Sequence, residues 1–392
     1  MRTATDKEVA TVFREVYGGV TPLRLPYSKS RVIEAITSCR TAKLGGHISG
    51  CYGCGYEEQS YNSCWNRHCP KCNGGAAFQW TEKRLSELLP VKYFHLVFTI
   101  PQELRELCYY NKKLFYQLLF ESSSRTLLDV GLNNEKVKLG FFGTLHTWNQ
   151  ELEYHPHMHY LVPAGGLTTS GNWQAFSRAD KDFFLPIGIL RKVFRGKLIQ
   201  SIKKAYSSKK FYLGKTLSHL ENPQEFGRLI SRIARKTWMV YAKKPFASPE
   251  IVVKYLSNYT HRVAISNYRI LSVTPEKVRF FARHRTKKNK RRVVTLKPQQ
   301  FTHRFLLHIL PKAFRRVRYY GFLYNEGKAQ ALEQIRKQLN FIPPVPKPSP
   351  TTICPNCKKP LFARIFVYKP HRVIPKPLIS NPKILPICLS PP

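Results

Sequence analysis

The run Tyr154-His155-Pro156-His157-Met158-His159-Tyr160-Leu161-Val162 places a histidine at every second position. Alternate side chains of a β-strand point to the same side, so in a strand all three imidazoles share one face. Imidazoles with a single residue between them can chelate one divalent ion from a rigid strand and leave coordination positions open for phosphate oxygens. A lone histidine would more simply be a satisfied core residue. Three in register, beside a second run ending His95-Leu96-Val97-Phe98-Thr99, point to a metal centre.

Working outward, Phe141 to Trp148 forms a further apolar strand, and the polar turn Asn149 to Glu153 lets it pair with the histidine strand as a hairpin. KYFHLVFTIP (92–101) is a β-rich run closed by Pro101, followed by apolar residues at helical spacing from Glu103 to Leu128. Trp173 to Lys215 is mixed and basic. Pro223 to Trp238 reads as a helix, and Pro249 can open another through Tyr255 to Thr260. RVAISNYRILSV and EKVRFFARH then alternate as strands, and the basic tip Thr286 to Arg292 leads to VVTL, giving an antiparallel ribbon with a charged loop. After Phe341 the chain is too rich in proline to sustain helix or sheet and reads as a tail with at most a small knuckle. The expected division is a zinc-binding region with flanking helices over 1–90, a catalytic domain over 91–325 and a basic, proline-rich tail over 326–392.

The chain has 392 residues, enough for two or three domains, and its 65 Lys and Arg against 23 Asp and Glu give a formal charge of +42. A polyanionic partner explains that excess: each neutralised phosphate releases condensed counterions and adds sequence-independent affinity. A ribosomal protein or a membrane-surface binder would share the charge. No apolar run approaches the roughly 18 to 20 residues of a membrane span, and Met1 to Gly18 is polar, so a cytoplasmic, nucleoid-associated protein with no membrane partner is expected.

Six of the ten cysteines fall between Cys39 and Cys72, which in a reducing compartment suggests metal rather than disulfides. Cys51-x2-Cys54 and Cys69-x2-Cys72 are knuckles separated by fourteen residues, and each can present two thiolates to one tetrahedral zinc. Gly53 and Gly55 permit the tight turn of the first, and Pro70 stiffens the second. Cys39, His47, Cys64 and His68 lie in the same window and could complete a second zinc site, although His68 could instead touch phosphate. Cys354-x2-Cys357 is a lone knuckle whose possible partners, His371 and Cys388, are distant.

Tyr255 and Tyr259 are four residues apart and share one face of a helix. Paired aromatics at that spacing usually pack in a core. Here Lys254, Asn258, His261 and Arg262 surround them with polar and cationic groups, which suits attack on a phosphodiester or stacking on bases.

At these residues the chain resembles a known family, the two-tyrosine rolling-circle transposases of the insertion sequence 91 group of HUH endonucleases. The matching stretches are GGHISGCYGCG with SCWNRHCPKC, FHLVFTIP, LHTWNQELEYHPHMHYLVPAGG, YLSNYTHRVAISNYRI and FLLHILPKAFRRVRYYGFL, which lie in the family's order. The resemblance implies an α+β fold, a central antiparallel sheet with flanking helices preceded by a small zinc-binding domain. It implies that His157-Met158-His159 holds Mg²⁺ or Mn²⁺, with a third ligand left open among Gln150, His155 and His95. It makes Tyr255 and Tyr259 the nucleophiles of a transposase that nicks single-stranded DNA at element ends and joins it to target DNA through a 5′-phosphotyrosine. Lys254, His261, Arg262, Arg315 and Arg316 are the candidate DNA contacts, and one or two structural Zn²⁺ are expected. A replication initiator or relaxase shares the histidine and tyrosine motifs, but the cysteine-rich region argues against it. A non-catalytic, zinc-dependent nucleic-acid-binding protein is a further alternative, and the ending Cys388-Leu389-Ser390-Pro391-Pro392, which completes no knuckle, leaves a decayed or frameshifted element copy open.

Overall fold

In the computed structural model, which describes residues 7–18, 25–177, 185–242, 251, 263–284, 290–324, 326–345, 353–359 and 362–368, the histidine run is a strand at the centre of a sheet. This strand, β5 (Tyr154–Pro163), pairs antiparallel with β4 (Gly140–Trp148) on one side and β3 (Tyr93–Thr99) on the other. β8 (Met239–Ala242) flanks β3, and β12 (Val317–Gly321) flanks β4, giving the order β12-β4-β5-β3-β8. A small ribbon of β6 (Gly165–Leu167) and β7 (Trp173–Ala175) follows β5.

Alternation divides the side chains of this sheet. Leu96 and Phe98, Phe141 and Leu145, and Met158, Tyr160 and Val162 enter the main core with residues of α5 (Lys112–Glu135) and α6 (Ile187–Ser207), such as Leu119, Phe120, Phe194 and Leu198. Phe98 meets Phe194 and Tyr160 edge-on at centroid distances of 5.0 and 5.6 Å. Tyr160 also reaches Ser123 of α5 through its hydroxyl at 2.6 Å, so a large buried ring keeps its polar tip satisfied. The ring lies across Gly143 of β4, where a Cβ would collide with it. α4 (Arg105–Tyr110) leads into α5, and α7 (Pro223–Arg235) starts with Pro223 after Asn222, whose side chain accepts from the Gln224 N–H.

A second core joins the two halves of the chain. α1 (Val9–Tyr17) and α2 (Tyr27–Ser38) pack through Val9, Phe13, Ile33 and Ile36 against β9 (Ile270–Val273), β10 (Val278–Arg283), β11 (Arg291–Leu296) and α8 (Pro298–Leu307). β9, β10 and β11 form the antiparallel ribbon read from the alternation. Trp148 and Leu152, at the hairpin of the central sheet, enter this same core. The cysteine-rich region therefore shares its hydrophobic interior with residues far along the chain. α3 (Asn73–Leu85) leads back to β3, with Trp80 edge-on to Phe142 on the histidine side of the sheet.

Two elements depart from expectation. α6 occupies the stretch read as mixed and basic, because Leu190, Phe194, Leu198 and Ile202 form an apolar stripe among many lysines and arginines. Beyond α9 (Lys328–Gln338), the proline-rich tail contains β13 (Phe362–Tyr368), which pairs antiparallel with β1 (Gly46–Cys51), itself paired to β2 (Glu57–Tyr61). FARIFVY contains no proline, so a segment average hid seven residues of strand-forming sequence. No helix among the described residues is long and apolar enough to cross a membrane.

Candidate active site and metal centres

The face of the central sheet opposite α5 and α6 carries the histidines. His146 of β4 pairs in register with His157 of β5, and Thr144 pairs with His159, so three imidazoles converge from two adjacent strands. The ligand-capable nitrogens of His146, His157 and His159 all lie within 4.8 Å of one another. His146 is the third ring, and it was not among the candidates read from the sequence. Its signal was present: in the hairpin Phe141 to Pro163 it faces His157 once the turn register is set.

Hydrogen bonds engage one ring nitrogen each of His157 and His159. His157 Nδ1 lies 2.6 Å from the His155 carbonyl oxygen, which can only accept, so Nδ1 carries the proton and Nε2 presents its lone pair. His159 Nδ1 lies 2.8 Å from His95 Nε2, and in the tautomer with the proton on that Nδ1 it is Nε2 that carries the ligating lone pair. Burial pushes the His157 imidazole down to about 3, keeping it in the neutral form that binds metal. His146 is stacked on Trp148 with centroids 4.8 Å apart.

The other ligand candidates sit differently. His155 does not join the trio, because its Nδ1 accepts from the Arg105 guanidinium at 2.8 Å, and burial together with that cation holds it down to about 4. His95 supports His159 from the neighbouring strand rather than standing in the trio. Gln150 lies in the turn after β4, its main-chain carbonyl accepting from Arg269 at 2.6 Å. Lys254, Tyr255, Tyr259, His261 and Arg262 lie outside the described residues.

The described strand before this stretch is β8, and Val263 is the first described residue after it. The register His146↔His157↔Thr99↔Met239 runs across the sheet to β8, which ends at Ala242. After the stretch, Val263 and Ala264 line a small pocket with Trp148, two residues beyond His146.

Arg315 and Arg316 point to different surroundings. Arg315 is exposed and lines an open groove of about 690 Å³ with Lys113, Lys312, Arg318 and Tyr324, a surface suited to a phosphate backbone. Arg316 instead lines the small pocket with His68 and His308, and burial, with Arg67 nearby, holds its guanidinium down to about 10. Arg316 is thus set in a different environment from Arg315, half-buried beside two histidines.

The four knuckle cysteines do not form one site. Cys39, Cys64, Cys69 and Cys72 make one cluster and Cys51, Cys54, Cys354 and Cys357 another, each with all sulfurs within 4.8 Å. The reason is the β1–β2 hairpin: its turn carries Cys51 and Cys54, whereas Cys39 and Cys64 flank its open end, about 17–20 Å away for strands of this length. In the first cluster Cys72 Sγ lies 3.3 Å from Cys39 Sγ and 3.5 Å from Cys64 Sγ, near the about 3.8 Å edge of a tetrahedron with 2.3 Å Zn–S bonds. His47 is not a ligand here, since its Nδ1 lies 3.3 Å from Asn62 Oδ1. His68 also stands apart: it faces Arg316 and His308, and burial holds it down to about 3. His371 and Cys388, suggested as partners of the C-terminal knuckle, lie outside the described residues, and Cys51 and Cys54 take that place.

Comparison with known proteins matches residues 140–330, which hold the histidine trio, to the family described as "Putative transposase", and residues 12–100 to the "Transposase zinc-binding domain". The chain is 41% identical over 345 residues to "Putative transposase y4qJ" of Sinorhizobium fredii (strain NBRC 101917 / NGR234), an alignment covering 86% of each chain. The chain belongs to the insertion sequence 91 family of transposases. The transposase is also 29% identical over 332 residues to the transposase for insertion sequence element IS801 of Pseudomonas savastanoi pv. phaseolicola, covering 81% of this chain and 76% of that one. No solved structure matches it significantly. The transposase is thus an enzyme acting on DNA, with an N-terminal domain built on structural zinc.

Proposed function

We propose that this transposase cuts and rejoins single-stranded DNA with a tyrosine nucleophile, at a divalent-metal site made by His146, His157 and His159. The observation that carries the reading is the convergence of these three imidazoles, with His157 and His159 oriented by hydrogen bonds that leave Nε2 to ligate. The donor set fits a divalent ion: three imidazoles converging from two adjacent strands, and a buried Thr144 hydroxyl on the same face with no partner among the described residues. Mg²⁺ or Mn²⁺ bound there would polarise the scissile phosphate and offset developing charge.

Tyr255 and Tyr259 are the nucleophiles of this proposal. A tyrosine hydroxyl loses its proton and forms a bond to phosphorus, the bond to the 3′ oxygen breaks, and that oxygen leaves as a 3′-hydroxyl. The DNA is then held as a 5′-phosphotyrosine. A 3′-hydroxyl attacking that linkage reverses the step and joins strands without hydrolysis, and a second tyrosine lets cleavage and transfer alternate. Support comes from the described flanks of the tyrosine segment: β8, in the same sheet as the histidine strands, and Val263, which lines a pocket with Trp148. Arg315, Arg318 and Lys312 would hold the DNA backbone in the basic groove.

Imidazole is a better ligand for Mn²⁺ than for Mg²⁺, which prefers oxygen donors and retains its waters. Nicking of single-stranded oligonucleotides taken from the DNA flanking the gene is therefore expected to reach half-maximal rate at a lower concentration of Mn²⁺ than of Mg²⁺. Undiminished nicking in chelator would remove the metal from the account. A protein that only binds nucleic acid would shift these oligonucleotides and leave no covalent adduct.

A further inference from the structure

The knuckle Cys354-Pro355-Asn356-Cys357 lies outside the region matched to the zinc-binding domain, which ends at residue 100. It nevertheless sits against Cys51 and Cys54, with Cys357 Sγ 3.6 Å from Cys51 Sγ and Cys354 Sγ 3.7 Å from Cys54 Sγ. These separations match the about 3.8 Å edge of a tetrahedral four-thiolate zinc site.

The two knuckles share one backbone design. In the first, the Gly55 N–H donates to the Cys51 carbonyl at 2.9 Å, the Cys51 N–H donates to the Tyr56 carbonyl at 2.8 Å, and Gly55 has φ of 71°. In the second, the Lys358 N–H donates to the Cys354 carbonyl at 2.9 Å, the Cys354 N–H donates to the Lys359 carbonyl at 3.0 Å, and Lys358 has φ of 60°. The left-handed conformation costs a lysine energy that it does not cost glycine, so the second turn is held open against its local preference. The Asn356 amide also reaches Cys54 Sγ at 3.6 Å, linking the knuckles directly.

The strands behind the knuckles are matched as well. β13 lies on β1 from Gly46↔Tyr368 to Cys51↔Phe362, bringing both knuckles to the same end of the sheet. At the other end the Tyr368 hydroxyl accepts from Gln59 Nε2 at 2.6 Å and fills the space over Gly46 that a Cβ would need.

We propose that Cys51, Cys54, Cys354 and Cys357 bind a second structural zinc, so that the N-terminal zinc-binding region is completed by a strand and a knuckle from the C-terminal part of the chain. The ion would act as a clasp. It fastens β13 to β1 at the end of the sheet where the hairpin turn would otherwise be open, and it makes the fold of the N-terminal ribbon depend on residues about 300 positions away, since metal binding at such a site is folding energy.

Metal analysis of the purified full-length protein is expected to find two zinc ions per chain. Cys354→Ser combined with Cys357→Ser is expected to leave one, held by Cys39, Cys64, Cys69 and Cys72. One ion in the unaltered protein, or two in the double variant, would overturn the proposal. A second measurement uses the unaltered protein: thiol alkylation with iodoacetamide, located by mass spectrometry, during titration with a chelator. Cys54 is solvent-exposed, so only coordination would shield it. Cys51, Cys54, Cys354 and Cys357 should resist alkylation with zinc bound and become reactive together as the chelator removes it. Labelling of Cys354 and Cys357 while Cys51 and Cys54 stay protected would contradict the shared site. Protection that yields to a reductant and not to a chelator would also contradict it, replacing zinc by disulfides.

Discussion

A hydrogen bond donated by His157 Nδ1 to a backbone carbonyl decides which of its nitrogens can face a cation, and His95 on the neighbouring strand engages Nδ1 of His159. Supporting partners of this kind typically change metal affinity or activity about 10–100-fold. His95→Ala is accordingly expected to weaken Mn²⁺ activation about 10–100-fold, with nicking restored at high Mn²⁺, whereas His146→Ala removes a donor and should lose more than that without recovery. DNA affinity, measured by a mobility shift, should change little in both because the basic groove is elsewhere. Equal Mn²⁺ requirements in His95→Ala and the unaltered protein would remove His95 from its positioning role. His308 shows the same logic in a structural residue. It donates from Nε2 to the Leu152 carbonyl at 3.1 Å, accepts from Thr147 at 3.2 Å, and burial holds it down to about 3. Its pKa is depressed on folding from about 6.5, so the unfolded chain binds the extra proton between the two values. Its stabilising contribution is complete above about pH 6.5 and is lost as pH falls towards 3. His308→Gln should flatten the fall in thermal midpoint between pH 7 and 5, and an unchanged slope would contradict this assignment.

At the scale of elements, the β4–β5 hairpin was legible because alternation and a polar turn fix both strands and their pairing. The histidine trio was legible only in part. His157 and His159 announce themselves by spacing within one strand, while His146 becomes visible only when the hairpin register is known, and that register depends on an irregularity between His146 and Trp148. The cysteine pairing failed for a similar reason: nearness in sequence favoured Cys51 and Cys54 with Cys69 and Cys72, but a hairpin separates its turn from its open end. β13 was lost in the surrounding prolines. The hairpin also depends on close packing between its strands, where Tyr160 lies over Gly143 with its hydroxyl pinned to Ser123. Gly143→Ala has no room to relax and should destabilise the protein by about 1–3 kcal/mol in urea unfolding. A midpoint equal to that of the unaltered protein would show that the ring can move aside.

Across the whole molecule, a chain with 65 Lys and Arg carries its histidine trio on the central sheet. Helices α1 and α2 share a core with Trp148, which stacks on His146, so the zinc-bearing part of the transposase is packed directly against the support of its candidate active site. Loss of the first zinc cluster should therefore disturb cutting as well as local folding: Cys69→Ser is expected to lower nicking and the thermal midpoint together. Nicking at full rate by a zinc-depleted Cys69→Ser protein would separate the two. The central claim is that tyrosine attacks DNA at the histidine site. Its most direct test is mass spectrometry of the covalent product formed by the full-length protein with Mn²⁺ and a single-stranded oligonucleotide from the flanking DNA. The account predicts that DNA is attached to a peptide at Tyr255 or Tyr259, that His146→Ala forms none, and that Tyr255→Phe combined with Tyr259→Phe abolishes the adduct. An adduct on Tyr241 or Tyr268, or one that persists in the double variant, would contradict it.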